Sequence, residues 1–207
     1  KKKLISETIL ITAGPTYEPI DAVRFIGNYS SGKMGYALAE ACADHGAEVI
    51  LVSGPVSISI DHPKIKVINV QQTAEMFNKC HEYFPGASIT ILSAAVSDYS
   101  PEQKIEKKIK RKNEDLLLQL KPTGDIAASL GKIKRPDQLL VGFALETDNE
   151  EENAFSKLKK KNFDLIVLNS LRDKGAGFQT DTNKISIIDK NNNIDKFELK
   201  SKREVAR

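Results

Sequence analysis

The feature that most constrains this chain is a succession of short apolar runs set between segments of helical spacing. The runs are Thr8–Ala13, Glu48–Ser53, Lys66–Val70, Ser88–Ser93, Leu139–Ala144 and Phe163–Asn169. Each is too short to be a helix and is bounded by glycine, proline or polar residues, so each reads as a strand. Between the first two lies an apolar pattern at helical spacing, Met34, Ala37, Leu38, Ala41 and Cys42, which Gly46 is placed to end. A strand, a helix and a strand in that order predict a parallel sheet, because parallel neighbours need a long crossover. Thr73 caps a second helix through Phe84, Ile126 to Leu130 form a third, and Asp148 or Asn149 caps a fourth. The expectation is an α/β fold: a Rossmann-like, open, mostly parallel sheet with helices on both faces. Lys184–Asp189, a turn at Asn191–Asn193 and Ile194–Leu199 predict a β-hairpin that forms a small antiparallel appendage. Leu116–Leu120 reads as one further strand, and Gly175–Phe178 as a loop.

The 207 residues suit one large domain, taken as residues 1–207, and 40% of them are hydrophobic, enough for a substantial core. A formal net charge of +3 does not announce a nucleic-acid or membrane partner. Cys42 and Cys80 both fall in helical patterns and read as small core residues in a reducing, cytoplasmic setting rather than as a disulfide. His45, His62 and His81 show no metal-ligand spacing, and no apolar run is long enough to span a bilayer.

The chemistry concentrates in Gly27-Asn28-Tyr29-Ser30-Ser31-Gly32-Lys33-Met34-Gly35. Ser30 or Ser31 would cap the helix that follows. A helix amino end presents unpaired N–H groups and partial positive charge, glycines admit a close ligand, and lysine adds a full charge. Gly14, Ser30, Ser31, Gly32, Lys33 and Met34 are therefore read as a phosphate site. The bland alternative is a cap and a turn. A P-loop is refused because Met34 stands where Ser or Thr would hold magnesium. The long, unpatterned stretch from Gly14 to the helix suggests function. Ala94-Ala-Val-Ser-Asp98 offers small residues at the carboxyl end of a strand, the edge where open α/β sheets bind ligands. Residues 100–115 are lysine-rich and read by default as a solvated loop; without an aromatic residue to stack on bases, they do not suit nucleic acid. Lys157 and Lys161 share a helix face and, on charge pattern alone, read as solvated surface.

Taken together, these segments resemble a known family. Arg24-x-Ile26-x-Asn28-x-Ser30-Ser31-Gly32-Lys33-Met34-Gly35 resembles the signature of bacterial phosphopantothenoylcysteine synthetase, often the carboxyl-terminal half of a bifunctional coenzyme A flavoprotein. Ile11–Thr16 with Glu18-Pro19, Leu51–Pro55, Ala94–Tyr99, Lys108–Lys110, Asp125-Ile126, Val141–Ala144 with Glu146-Thr147, and Asp164–Val167 with Asn169 agree in order across almost the whole chain. The resemblance implies that CTP, with Mg2+, activates the carboxylate of 4′-phosphopantothenate as an acyl-cytidylate, and that the amine of L-cysteine then displaces CMP. It implies that Asn28 is the catalytic amide at the acyl-cytidylate and that Lys108 reaches the triphosphate. Leu92, Ser93, Ala94, Asp98, Gly124, Asp125, Ile126, Ala127, Phe143, Lys157 and Lys161 would be nucleotide-binding, which reverses the solvated reading of the last two. The phosphate site at residues 30–34 would serve phosphopantothenate. Gly124 departs from the proline that relatives often carry there. The resemblance further implies a homodimer, for which the 184–199 hairpin is a candidate contact, and a flavin only where an amino-terminal decarboxylase domain is fused. An NAD(P)-dependent oxidoreductase on a similar sheet is the alternative, and a basic RNA-binding module a third reading.

Overall fold

The computed structural model describes residues 4–111, 113–146, 149–170 and 180–207. Eight strands form its main sheet: β1 (Thr8–Ala13), β2 (Glu48–Ser53), β3 (Ile65–Asn69), β4 (Ile89–Leu92), β5 (Leu139–Glu146), β6 (Leu165–Ser170), β7 (Ile185–Asp189) and β8 (Ile194–Lys196). Their spatial order is β3-β2-β1-β4-β5-β6-β7-β8. β1 to β6 are mutually parallel, while β7 and β8 add on antiparallel. This is the order of doubly wound nucleotide-binding sheets. The hairpin is thus the edge of the main sheet, not a separate unit, and its second strand is shorter than the sequence suggests.

Helices cover both faces. Residues alternate along each strand, so Ile9, Ile11, Val49 and Leu51 face one way and Leu10, Val52, Leu140 and Ile166 the other. The first set packs under α1 (Lys33–Asp44) through Tyr36, Ala39 and Ala43. The second packs under α2 (Thr73–Tyr83), α3 (Ile126–Ile133) and α4 (Glu150–Lys160), through Met76, Cys80, Leu130 and Leu158. Burial on both faces is why β1 reads as an unbroken apolar run. A short α5 (Lys202–Val205) lies beside α1. Both cysteines are free thiols, and burial pushes Cys80 up to about 12. No helix among the described residues is long and apolar enough to cross a membrane.

Several local expectations need correction. Leu116–Gln119 form no strand; only Leu120–Pro122 pairs, in a small ribbon with Tyr99–Pro101. Leu117 is 92% exposed there, so the apolar run finds no sheet to bury it. The cap of α1 is Gly32, with φ +73° and no side-chain cap, so neither Ser30 nor Ser31 fills that role. The cap of α2 is Gln72, and Thr73 is the first helical residue. Asn149 occupies the cap position of α4 without a side-chain hydrogen bond. The 163–169 strand begins at Leu165. The stretch after β1 contains a ribbon of its own, Glu18–Pro19 with Phe25–Ile26. The loop expected at Gly175–Phe178, together with Thr147 and Asp148, lies outside the described residues.

Candidate functional site

Strands β1 and β4 are neighbours, but their crossovers leave toward opposite edges of the sheet. The crevice at their carboxyl ends is the topological switch point. Side chains and backbone sew it together. Ser93 Oγ donates to the Thr12 carbonyl at 2.6 Å, and Ala94 N donates to Thr12 Oγ1 at 3.2 Å. Beyond the strands, Ala95 N donates to the Gly14 carbonyl at 2.9 Å, and Thr16 N to the Ala95 carbonyl at 3.2 Å. The amino end of α1 sits directly on this seam. A Cβ at Gly35 would stand 2.5 Å from Ala13 Cβ and 2.8 Å from Ser93 Oγ, so only glycine lets the helix come this close.

A cavity of about 360 Å³ opens above the seam. One wall is the α1 amino end, Ser30, Ser31, Gly32, Lys33, Met34 and Gly35. Its floor is formed by Thr12, Leu92, Ser93 and Ala94, with Phe143, Ala144 and Leu145 at the end of β5. The far wall is Asp98, the α3 start at Gly124, Asp125, Ile126 and Ala127, and two lysines, Lys157 from α4 and Lys161 from the cap at its end. Both lysines are half-buried, unlike the exposed Lys159 and Lys160. Asp125 caps α3, its Oδ1 accepting from Ala128 N at 2.9 Å, while its Oδ2 lies 3.2 Å from Lys161 Nζ. A Cβ at Gly124 would press on the Phe77 ring at 3.1 Å, which accounts for a small residue at that position.

Three residues named from the sequence do not line the cavity. Gly14 lies behind Gly32, packed on its backbone. Asn28 stands between two lining segments: its Nδ2 donates to the Ala95 carbonyl at 2.6 Å, and its Oδ1 accepts from Ser30 N at 3.0 Å. An amide nitrogen carries two protons, so one remains for another acceptor. Lys108 is exposed on the lysine-rich segment. That segment is fastened beside it, because Ile109 N donates to Asp21 Oδ2 at 3.1 Å and Arg24 Nη2 donates to the Ile109 carbonyl at 2.9 Å. The Arg24 guanidinium bonded to Asp21 holds that carboxyl well below the usual carboxylate range, against the opposing effect of burial.

A second brace runs through Glu18, which is 4% exposed. Its Oε1 accepts from Thr73 N at 2.8 Å and Thr73 Oγ1 at 2.7 Å, at the amino end of α2. Thr16 Oγ1 bonds Thr73 Oγ1 at 2.9 Å and accepts from Ser97 N at 2.9 Å. Thr123 Oγ1 donates to the Ser97 carbonyl at 2.7 Å, which ties in the α3 loop. Sequence reading did not assign Thr12, Thr123, Phe163, Asn169, Asn183 or Lys202, which also line the cavity. Asn169 stood inside a matched segment; Asn183 and Lys202 lie in a polar tail with no pattern to mark them. Among the described residues no group of three His, Cys, Asp or Glu is placed to hold a metal ion.

Comparison with known proteins identifies the family. The profile of the DNA/pantothenate metabolism flavoprotein C-terminal domain matches residues 4–207. A protein named Cysteine/Cysteine sulfinic acid decarboxylase, from an unknown prokaryotic organism, is 59% identical over 206 residues, covering 100% of this chain and 57% of the relative. The Coenzyme A biosynthesis bifunctional protein CoaBC of Bacillus subtilis is 46% identical over 200 residues, covering 96% of this chain and 48% of the relative. The chain thus spans about half the length of the curated relatives it matches. The crystal structure of the C-terminal domain of a CoaBC protein superimposes with a TM-score of 0.84 at 38% identity, covering 100% of this chain and 93% of that one. The cavity at the switch point, the glycine-rich start of α1 and the full-length profile match lead to one conclusion: the chain belongs to the DNA/pantothenate metabolism flavoprotein C-terminal domain family.

Proposed function

We propose that this chain carries a phosphopantothenate–cysteine ligase activity of coenzyme A biosynthesis, with CTP as co-substrate. The carboxylate oxygen of 4′-phosphopantothenate attacks the α-phosphorus of CTP, the bond to the β-phosphate oxygen breaks, and pyrophosphate leaves. The amine nitrogen of L-cysteine then attacks the acyl carbon of the acyl-cytidylate. The acyl–oxygen bond breaks, CMP departs, the amine loses a proton, and 4′-phosphopantothenoylcysteine remains. The observation that carries this reading is one cavity with two walls suited to anions: the α1 amino end with Lys33, and the α3 amino end with Lys157 and Lys161. A ligase that joins two anionic substrates has to neutralise charge and hold geometry more than it needs a nucleophile.

In this reading Ser30 to Met34, backed by Gly14, hold phosphate, and Asn28 gives its second amide proton to the acyl-cytidylate. Leu92, Ser93, Ala94, Asp98, Phe143 and Gly124 to Ala127 form the nucleotide's bed, and Lys157 and Lys161 neutralise it. Lys108 closes over the triphosphate from a segment whose base is fastened at Asp21. Magnesium would accompany the triphosphate and help to neutralise its charge, and no step here runs through it. The chain acts as a homodimer in the cytoplasm; flavin chemistry belongs to a decarboxylase portion of longer relatives.

The test is pyrophosphate release with 4′-phosphopantothenate, comparing CTP with ATP, with and without cysteine. Release that requires phosphopantothenate and prefers CTP supports the reading; no release with either nucleotide, or release that does not depend on phosphopantothenate, overturns it. A second reading rests on the 59% identical decarboxylase relative. In it the longer protein removes carbon dioxide from a cysteine derivative, and this part serves that reaction. Carbon dioxide release from cysteine by the full-length protein, without CTP or phosphopantothenate, would favour the second reading.

A further inference from the structure

The polar carboxyl-terminal tail brings a lysine to the phosphate wall. Thr182–Asn183 pairs antiparallel with Lys200–Ser201, and α5 starts immediately after. Its first residue, Lys202, is only 7% exposed and lines the cavity together with Lys33 and Ser30. The Lys202 ammonium donates to the Thr180 carbonyl at 2.6 Å, and its backbone N–H to the Asp181 carbonyl at 2.9 Å. Lys33 Nζ lies 2.6 Å from Asp181 Oδ1, and that carboxylate is 85% exposed. Burial, and after it the charge of Lys33, pull the Lys202 ammonium below the ordinary lysine value, while Asp181 acts the other way.

The ammonium groups of Lys33 and Lys202 and an α1 amino end without a side-chain cap thus gather at one wall of the cavity, with Asp181 held on Lys33. That gathering of positive charge suits a phosphate group. A further observation points to an occupant. Asn183 is 2% exposed, lines the same cavity, and its Oδ1 has no hydrogen-bond partner among the described residues. A buried acceptor left unmet is costly, and a ligand with a hydroxyl or N–H near its phosphate supplies the missing donor.

We propose that Lys202 is a phosphate-binding residue of the cradle at the start of α1, and that Asp181 holds the place of a phosphate group until the ligand displaces it from Lys33. This rests on the reading of the cavity as a phosphate site. Both the nucleotide and phosphopantothenate carry phosphate beside hydroxyl groups, so the chemistry is shared and the test separates the sources.

The experiment is calorimetric titration of the unmodified chain, Lys202→Gln and Asp181→Asn with inorganic pyrophosphate, CTP and 4′-phosphopantothenate separately. Lys202→Gln is expected to weaken the cradle's ligand by roughly tenfold or more, the loss of one charge-assisted contact. Asp181→Asn is expected to tighten the same ligand several-fold, and more than Asp195→Asn, which changes net charge equally at an exposed strand edge. Weakening in the pyrophosphate and CTP arms assigns the triphosphate to the cradle; weakening in the phosphopantothenate arm alone assigns the other substrate. Unchanged binding of all three ligands in Lys202→Gln overturns the proposal. So does unchanged or weaker binding in Asp181→Asn, an exposed position that keeps the test decisive if Lys202→Gln does not fold. Pyrophosphate binding needs no turnover, so a failed ligase assay and a failed cradle are separate results.

Discussion

At the scale of the residue, the site is governed by a few polar side chains that already have partners. Asn28 illustrates this, since its amide joins the Ala95 carbonyl to the Ser30 N–H and so holds the floor of the cavity against the α1 start. Asn28→Ala is expected to let acyl-cytidylate accumulate while cysteine ligation stalls, read by mass spectrometry of quenched reactions; normal multiple turnover would remove the residue from the chemistry. Asp21 is the second case. It accepts from Arg24 and from Ile109 N, and its carboxyl titrates below the ordinary 3.8. A carboxyl with a lower value folded than unfolded gives its full stabilisation above the ordinary value and loses it as pH falls through the folded one. The melting-temperature gap between the unmodified chain and Asp21→Asn should therefore be constant near neutrality and shrink below pH 3.8. A gap that widens in acid would contradict the assignment. Neither brace announces itself in a sequence, because Glu18 meets Thr73, and Asp21, beyond its neighbour Arg24, meets Ile109, each far along the chain.

At the scale of the element, the elements that stand on apolar periodicity were legible. β1, β2 and the α1 face follow from patterns that are local and repeated. Leu116–Gln119 were misread because an apolar run becomes a strand only when a neighbour pairs with it. The cap of α1 was misread for a related reason: Gly32 takes the left-handed conformation so that α1 can sit on Gly14, a contact between segments that no local preference encodes. The lysines of α4 divide in the same way, since Lys157 and Lys161 face the cavity only because α4 lies beside the α3 start. The close seating of α1 is itself testable. Gly35→Ala puts a methyl group against Ala13 and Ser93, and should cost about 1–3 kcal/mol in urea denaturation. It should also weaken CTP or phosphopantothenate binding, because the cradle lifts off the seam. Full stability with unchanged affinity would show that the helix has room to spare.

At the scale of the whole molecule, the doubly wound order decides where chemistry can happen. It splits the crossovers of β1 and β4, opens one crevice, and lets α1 and α3 aim their amino ends into it from opposite faces. The sheet centre supports this rigidly: Leu10 in β1 is wholly buried between β2 and β4. Leu10→Ala should cost about 2–5 kcal/mol in global unfolding. A loss well under 1 kcal/mol would mean the centre is more yielding than its burial implies. The direct test of the central claim is a crystal structure of this chain grown with CTP and 4′-phosphopantothenate in the absence of cysteine. The account predicts density for the acyl-cytidylate spanning the cavity, from Ser30–Met34 on one side to Asp125 and Lys161 on the other. A ligand seated elsewhere on the molecule, with this cavity empty, would contradict it.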